Sequence, residues 1–290
     1  MGDIRFDMDR FLRILSRGSK AELAGSEGCL FRVSYATDTG YFRETNEDSF
    51  FIDGKCVHQF GYSEKDLYAE TREGTHVFGV FDGMGGEDHG ELASELCAKA
   101  LDGAYGHIVS AAPGELHGLM TGVCRSANAA ICKMIKERGA RAGGSTFAAV
   151  CICEGKAHVF WLGDSRVYLY TGSVLKQLTT DHTVAAARIA AGIYTAEEAV
   201  GSRDHHALTN FVGMNRLAEG MTVSAREPIP FKKGHSLLIC SDGLTDMIFE
   251  SEIKQVLSVG YADPASELVT RALLNGGMDN VTCVVISRPK

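Results

Sequence analysis

Proline is scarce, with five in 290 residues, and no low-complexity block interrupts the chain. Both absences argue against long disordered stretches. No apolar run approaches the ~20 residues that a membrane-crossing helix needs. The opening MGDIRFDMDRF is broken by acids, so it does not read as a secretory signal. Phe6 stands where a myristoylation site would carry Ser or Thr. Basic excess is lacking too: 29 Lys and Arg face 37 Asp and Glu, for a net charge of −8. That balance speaks against nucleic acid as a partner, which would call for a basic stripe. No G-x-x-x-x-G-K-[ST] occurs, and Asp88 spoils the one approach to G-x-G-x-x-G. Nucleotide-binding loops of those two kinds are therefore not expected.

The nine cysteines are odd in number and lie mostly in apolar runs such as AAVCICEG and LLICSDG. They are expected to be reduced core residues of a cytoplasmic protein. Cys151 and Cys153 alternate with Ile152 and have no second pair, which excludes a zinc site of the usual spacing.

What is present divides at residue 28. Ile4, Met8, Phe11, Leu12 and Leu15 fall at helical spacing, and GSKAELAGSEG follows as a linker, so residues 1–28 read as an N-terminal extension. Residues 29–290 read as one domain. CLFRVSYATD, DSFFID and HVFGVFD are expected strands, followed by two helices over about 87–110 and 114–138. From Ser145 to Leu178 three or four strands are joined by short turns at 154–156 and 171–173, which implies antiparallel hairpins. Further helices are expected near 245–258 and 264–275, then a last strand, VTCVVIS. Hairpins with helices in consecutive pairs indicate an α+β fold. The polar segment 53–76 reads as a surface insertion, with a partner-docking loop as the lesser alternative.

Four aspartates share one context, an apolar run on one side and glycine nearby: Asp82, Asp164, Asp242 and Asp279. Glu47-Asp48 opens a strand in RETNEDSFF. One such acid is an ordinary turn residue. Five acidic sites converging on one rim would repel one another unless neutralised, and hard cations with oxygen ligands, Mg²⁺ or Mn²⁺, are the expected partners.

FRETNEDS, VFDGMGG, GGSTFAAV, WLGDSRVYLY, LTTDHT, ICSDGLTD and GGMDNVT follow one another in the order found in metal-dependent serine/threonine protein phosphatases. Over about residues 30–288 the chain resembles this type 2C family, most of all its bacterial members. The resemblance implies a four-layer αββα sandwich, two antiparallel sheets flanked by helix pairs. It implies a water activated by a binuclear Mn²⁺ or Mg²⁺ centre that removes phosphate from phosphoserine and phosphothreonine in proteins. Asp82 would bridge both ions, and the Gly83 carbonyl would ligate one, glycine letting the backbone reach it. Asp242 and Asp279 would complete the ligands of the second ion, supported by Asn280. Glu47 would act through water, with Asp48 beside it, and Arg43 would clamp the substrate phosphate. Asp164 matches the position of a third, weaker ion in several relatives, so the count is two or three.

Many relatives carry a histidine after the Asp-Gly, offered as the general acid; here the position is Met84, which cannot donate a proton. That leaves water on the metal, His89, His205 or His206, although the 205–206 pair reads first as a solvated loop. A phosphoprotein substrate, an opposing serine/threonine kinase and a monomeric state are the implied associations. The alternative reading is a catalytically inactive, phosphatase-like adaptor that binds a phosphoprotein or kinase. A metal-dependent nuclease is disfavoured by the acidic balance.

Overall fold

The computed structural model describes residues 30–57, 64–70, 73–85, 89–140, 142–200, 202–214 and 221–290. The helix expected within residues 1–28 lies outside them. Fourteen strands are described: β1 Phe31–Asp38, β2 Asp48–Ile52, β3 Lys55–Val57, β4 Glu64–Glu70, β5 His76–Met84, β6 Gly144–Ser145, β7 Phe147–Cys153, β8 Lys156–Leu162, β9 Arg166–Tyr170, β10 Leu175–Gln177, β11 Ser224–Ala225, β12 Ile229–Pro230, β13 Ser236–Cys240 and β14 Val281–Ser287. The helices are α1 Gly90–Val109, α2 Leu116–Arg138, α3 Val184–Ala190, α4 Ala196–Val200, α5 Asp242–Thr245, α6 Glu250–Val259 and α7 Pro264–Leu274.

One sheet runs β10-β9-β13-β14-β1-β4; the other runs β11-β8-β7-β5-β2-β3, with β12 on β8 and β6 on β5. The described pairings are antiparallel, as the short turns implied. The apolar core divides by strand alternation, because successive side chains leave a strand on opposite faces. Phe50, Phe78 and Val80 point between the sheets towards Trp161, Leu237 and Val284. Their neighbours Phe51, Val77 and Phe81 point outward, onto Cys97, Leu101, Met120 and Cys124 of α1 and α2. On the far side Tyr168, Leu238 and Val285 meet Ile253, Val256, Leu268 and Ala272 of α6 and α7. Three packed interfaces make four layers, αββα. Strands buried on both faces explain the continuous apolar runs in the sequence.

Of the eight described cysteines six are buried, and Cys56 and Cys132 are half-buried. The described residues of the segment 53–76 are mostly paired strands rather than an inserted loop. Asp53 (φ 44°) and Gly54 (φ 93°) make a tight turn of left-handed residues that folds β3 back on β2. Residues 64–70 then form β4, which joins the other sheet along β1 from Thr37 opposite Glu64 to Phe31 opposite Glu70. Exposed, charged Lys65 and Asp66 suit an edge strand, since they deter pairing with a further chain. That same polarity hid the strand from a hydrophobicity reading.

Candidate metal and phosphate site

The acid-bearing strand ends gather at one end of the sandwich. Asp48, at the start of β2, stands opposite Asp82 near the end of β5. Asp164 follows β8, Asp242 follows β13, and Asp279 precedes β14. Like charges placed opposite each other on a ladder are destabilising. Burial, then Asp242, Asp48, Asp164 and Asp279, drive the Asp82 carboxyl well above the usual range. Burial and Asp242 do the same to Asp164. Asp242 goes the other way: burial opposes its ionisation, but hydrogen bonds from His206 and Asp82 outweigh that and hold it low. One carboxylate thus stays charged because its neighbours supply protons.

Asp48 is the clearest case of an unmet need. Its Oδ2 accepts from Ser241 Oγ at 2.8 Å, but its Oδ1 is buried without a partner. Burial pushes Asp48 up to about 7, against the hydrogen bonds of Thr282 and Ser241. Burial likewise pushes Glu47 up to about 7, with Arg43 opposing and Glu91 and Asp279 adding. Unfolded carboxylates titrate near ~4, so the folded metal-free protein holds extra protons between about pH 4 and 7. Its stability must fall as pH rises through that window. Thermal unfolding in EDTA is expected to show a lower Tm at pH 8 than at pH 6, and the gap should shrink with Mn²⁺. A Tm that climbs from pH 6 to 8 in EDTA would contradict this.

Gly83 serves a need other than backbone freedom. Its φ is not left-handed; instead a Cβ there would lie 2.1 Å from Gly90 O and 2.6 Å from Glu47 O. A Cβ on Gly90 would fall 2.4 Å from Glu47 Oε2. The start of α1, the end of β5 and Glu47 are therefore packed backbone to backbone, with Gly83 N donating to Glu47 O at 3.1 Å. Gly144 also marks close packing, since its Cβ would meet the Phe211 ring at 2.5 Å. Thr146, in the same motif, accepts from Asp82 N at 2.9 Å and lies 2.6 Å from Ser165 Oγ.

Asn280 ties the loop before β2 to β14. Its Nδ2 donates to Thr39 O and Thr45 O, each at 2.9 Å, and its Oδ1 accepts from Glu47 N at 2.8 Å. Asn280→Ala would strand these groups beside a side chain that is only 5% exposed. We expect a loss of about 2–3 kcal/mol in urea unfolding and weaker Mn²⁺ binding. A loss under about 0.5 kcal/mol would show that Asn280 is not the tie.

At the mouth, Arg43 Nη2 donates to Asp279 Oδ2 at 2.7 Å, with 47% and 36% of the two side chains exposed. All nine residues singled out from the sequence meet here: Arg43, Glu47, Asp48, Asp82, Gly83, Asp164, Asp242, Asp279 and Asn280. The structure adds Asp246, Ser241 and Thr146, and it brings His206, one of the histidines considered as general acid, to the same rim. His206 Nδ1 lies 3.4 Å from Asp242 Oδ2, and its Nε2 lies 3.6 Å from Asp246 Oδ2. The Asp242 hydrogen bond raises His206 to about 9, despite burial. The 205–206 pair lies in a turn, with His206 59% exposed, and that turn rests beside the acidic rim. His89 sits at the start of α1, 3.6 Å from Glu91. Asp246, in ICSDGLTD, could have been suspected from its spacing: four residues on along one helical turn it shares a face with Asp242.

The donor set fits a hard divalent cation. It is made of carboxylate oxygens and histidine, it repels itself, and it leaves a buried carboxylate oxygen unpartnered. Asp164, His206 and Asp242 bring potential ligand atoms within 4.8 Å of one another.

The protein phosphatase 2C family model matches residues 60–274. The chain belongs to the protein phosphatase 2C family. Among the relatives of this phosphatase 2C chain is the serine/threonine phosphatase stp of Listeria monocytogenes, 27% identical over 260 residues, which span 88% of this chain and 95% of that one. The serine/threonine protein phosphatase PstP of Mycobacterium tuberculosis is 30% identical over 259 residues, 88% of this chain and 45% of PstP. The crystal structure of a PstP catalytic domain in complex with two manganese ions superposes with a TM-score of 0.70 at 27% identity, covering 90% of this chain and all of that one. The phosphatase 2C fold thus accounts for both sheets and both helical layers.

Proposed function

We propose that this phosphatase 2C chain hydrolyses phosphoserine and phosphothreonine monoesters in proteins, using Mn²⁺ or Mg²⁺ and reversing the work of a serine/threonine kinase. The observation that carries this reading is the self-repelling acidic rim, with Asp48 Oδ1 buried and unpartnered and one guanidinium at its mouth. Asp82, the Gly83 carbonyl, Asp242 and Asp279 would hold two ions, Glu47 would hold through water, and Asp164 would take a third. Such ions, when bound, neutralise phosphate charge and lower the pKa of an attacking water. The chain's own residues do the positioning. Asn280 fixes the backbone of Glu47, Thr146 fixes that of Asp82, and Ser241 fixes the Asp48 carboxylate.

Arg43 would bind the phosphate through its planar fork, giving up part of its bond to Asp279 as it does so. Arg43→Ala should raise KM for a phosphothreonine peptide by roughly 10–100-fold, with Mn²⁺ affinity little changed. An unchanged KM would remove Arg43 from the phosphate site.

We take residues 29–290 as the phosphatase domain, residues 1–28 as an extension to it, and the chain as a cytoplasmic monomer. Among the described residues no helix is long and apolar enough to cross a membrane. The activity is tested by hydrolysis of p-nitrophenyl phosphate and a phosphothreonine peptide in Mn²⁺, in Mg²⁺ and in EDTA. Turnover that needs metal supports the reading. A folded protein that turns over neither substrate with any metal would sink it and favour a phosphoprotein-binding adaptor.

A further inference from the structure

Two large apolar side chains stand in solvent at the mouth of the site. Phe42 is 48% exposed and Met278 is 52% exposed. They are the sequence neighbours of Arg43 and Asp279. The loops that carry them run side by side, because Tyr41 N donates to Gly277 O at 2.8 Å and Arg43 Nη2 bonds Asp279 Oδ2 at 2.7 Å. Phe42 and Met278 thereby lie on adjoining loops, each between the same two contacts. The seat beneath them is tight: a Cβ on Gly40 would lie 2.4 Å from Asp279 O, and one on Gly277 would lie 3.0 Å from both Leu273 and Tyr41. Met278 Cγ and Met247 Sδ sit 3.8 and 3.6 Å from the Cβ position of Gly276. Met278 and Met247 therefore border the same glycine. Single exposed apolar residues are ordinary. Two such residues on tied loops, one on each side of the Arg43–Asp279 bond, are not explained by packing.

The geometry points to Phe42 and Met278 as a specificity platform that grips a bulky apolar side chain next to the phosphorylated serine or threonine of a protein substrate. This rests on the phosphatase reading above. With the phosphate held at Arg43, an extended peptide advances about 3.3 Å per residue, so the adjoining side chains fall over the two neighbouring loops. Phe42 supplies a flat apolar face there, and Met278 an adaptable one. The platform is continuous with the reactive site but touches no reacting atom, so it should act on peptide selection alone.

The test uses the full chain with Mn²⁺ and two phosphothreonine peptides that differ only in leucine or glycine on either side of the phosphothreonine. p-Nitrophenyl phosphate, which has no flanking residues, serves as the third substrate. Wild type is expected to favour the leucine peptide by about 10-fold in kcat/KM. The double variant Phe42→Ala/Met278→Ala should lose that preference to within about 2-fold and keep its p-nitrophenyl phosphate rate within about 2-fold. Val174→Ala is the control: Val174 is 57% exposed, but it lies in the turn after Tyr170, at the end of β9 away from Arg166 and the acidic rim. It should change nothing. A wild type indifferent to the flank, or a double variant that keeps the preference, would overturn the platform. So would a double variant that loses p-nitrophenyl phosphate turnover in parallel. No turnover of any substrate by wild type would instead overturn the phosphatase reading on which the platform stands.

Discussion

Asp242→Asn should lower kcat on the order of 10³-fold while leaving the protein folded. Asp242 opens α5 straight after β13, and it is the member of the cluster held ionised by its hydrogen bonds with His206 and Asp82. Asparagine keeps its shape but removes the charge that balances a cation. The same change relieves repulsion on Asp82, whose second-largest perturbation is Asp242. The variant's Tm in EDTA should therefore stay within a few degrees of wild type or rise, while the stabilisation gained on adding Mn²⁺ should largely vanish. Lost activity with an intact metal-free Tm separates a ligand from a structural residue. A variant that keeps more than a tenth of the wild-type kcat with Mn²⁺ would show that Asp242 is not essential to the centre.

Gly243→Ala is expected to be among the most damaging single methyls at the described glycines. A Cβ there would stand 2.0 Å from Asn280 O and 3.0 Å from Asn280 C, both backbone atoms with no rotamer to yield. Either α5 or the loop just before β14 must move, and these carry Asp242 and Asp279. A cost of about 3 kcal/mol or more follows from overpacking, equivalent to a Tm loss of roughly 6–12 °C at this size. Gly122→Ala, in α2, offers the opposite case: nothing lies within 4 Å of its Cβ position. A helix-interior glycine in open space should gain about 0.5–1 kcal/mol on becoming alanine. Equal effects at the two positions would mean that close backbone approach is not what selects glycine beside Asp242.

Periodicity and turn chemistry reach far into this fold, and where they stop there is a physical reason. The hairpin at Glu154-Gly155 is legible because both residues take positive φ, the conformation that such a two-residue turn demands. Asp53-Gly54 carries the same signal, yet the polar run after it masks the strand it serves. β4 is an edge strand whose outward charges imitate a loop, and only its pairing with β1 identifies it. The candidate site is legible as acids at strand ends, since strand ends of one sheet share a rim. Their individual roles came from resemblance rather than from spacing. The approach of His206 to Asp242 and Asp246 depends on how the 202–209 segment folds over the rim, which no local pattern encodes. The need for glycine at 83 is also tertiary, because the atoms it must avoid belong to Gly90 and Glu47.

The central claim is that the acidic rim is a cation centre, and calorimetric titration of Mn²⁺ into the metal-stripped full chain tests it most directly. Wild type should bind at least two ions per chain, and near pH 6.5 binding should release protons, because Glu47 and Asp48 are each pushed up to about 7 and cations favour their ionised forms. Asp82→Asn should lose the binding. If wild type takes up no Mn²⁺, or if Asp82→Asn binds as wild type does, the rim is not a metal centre and the account fails at its base.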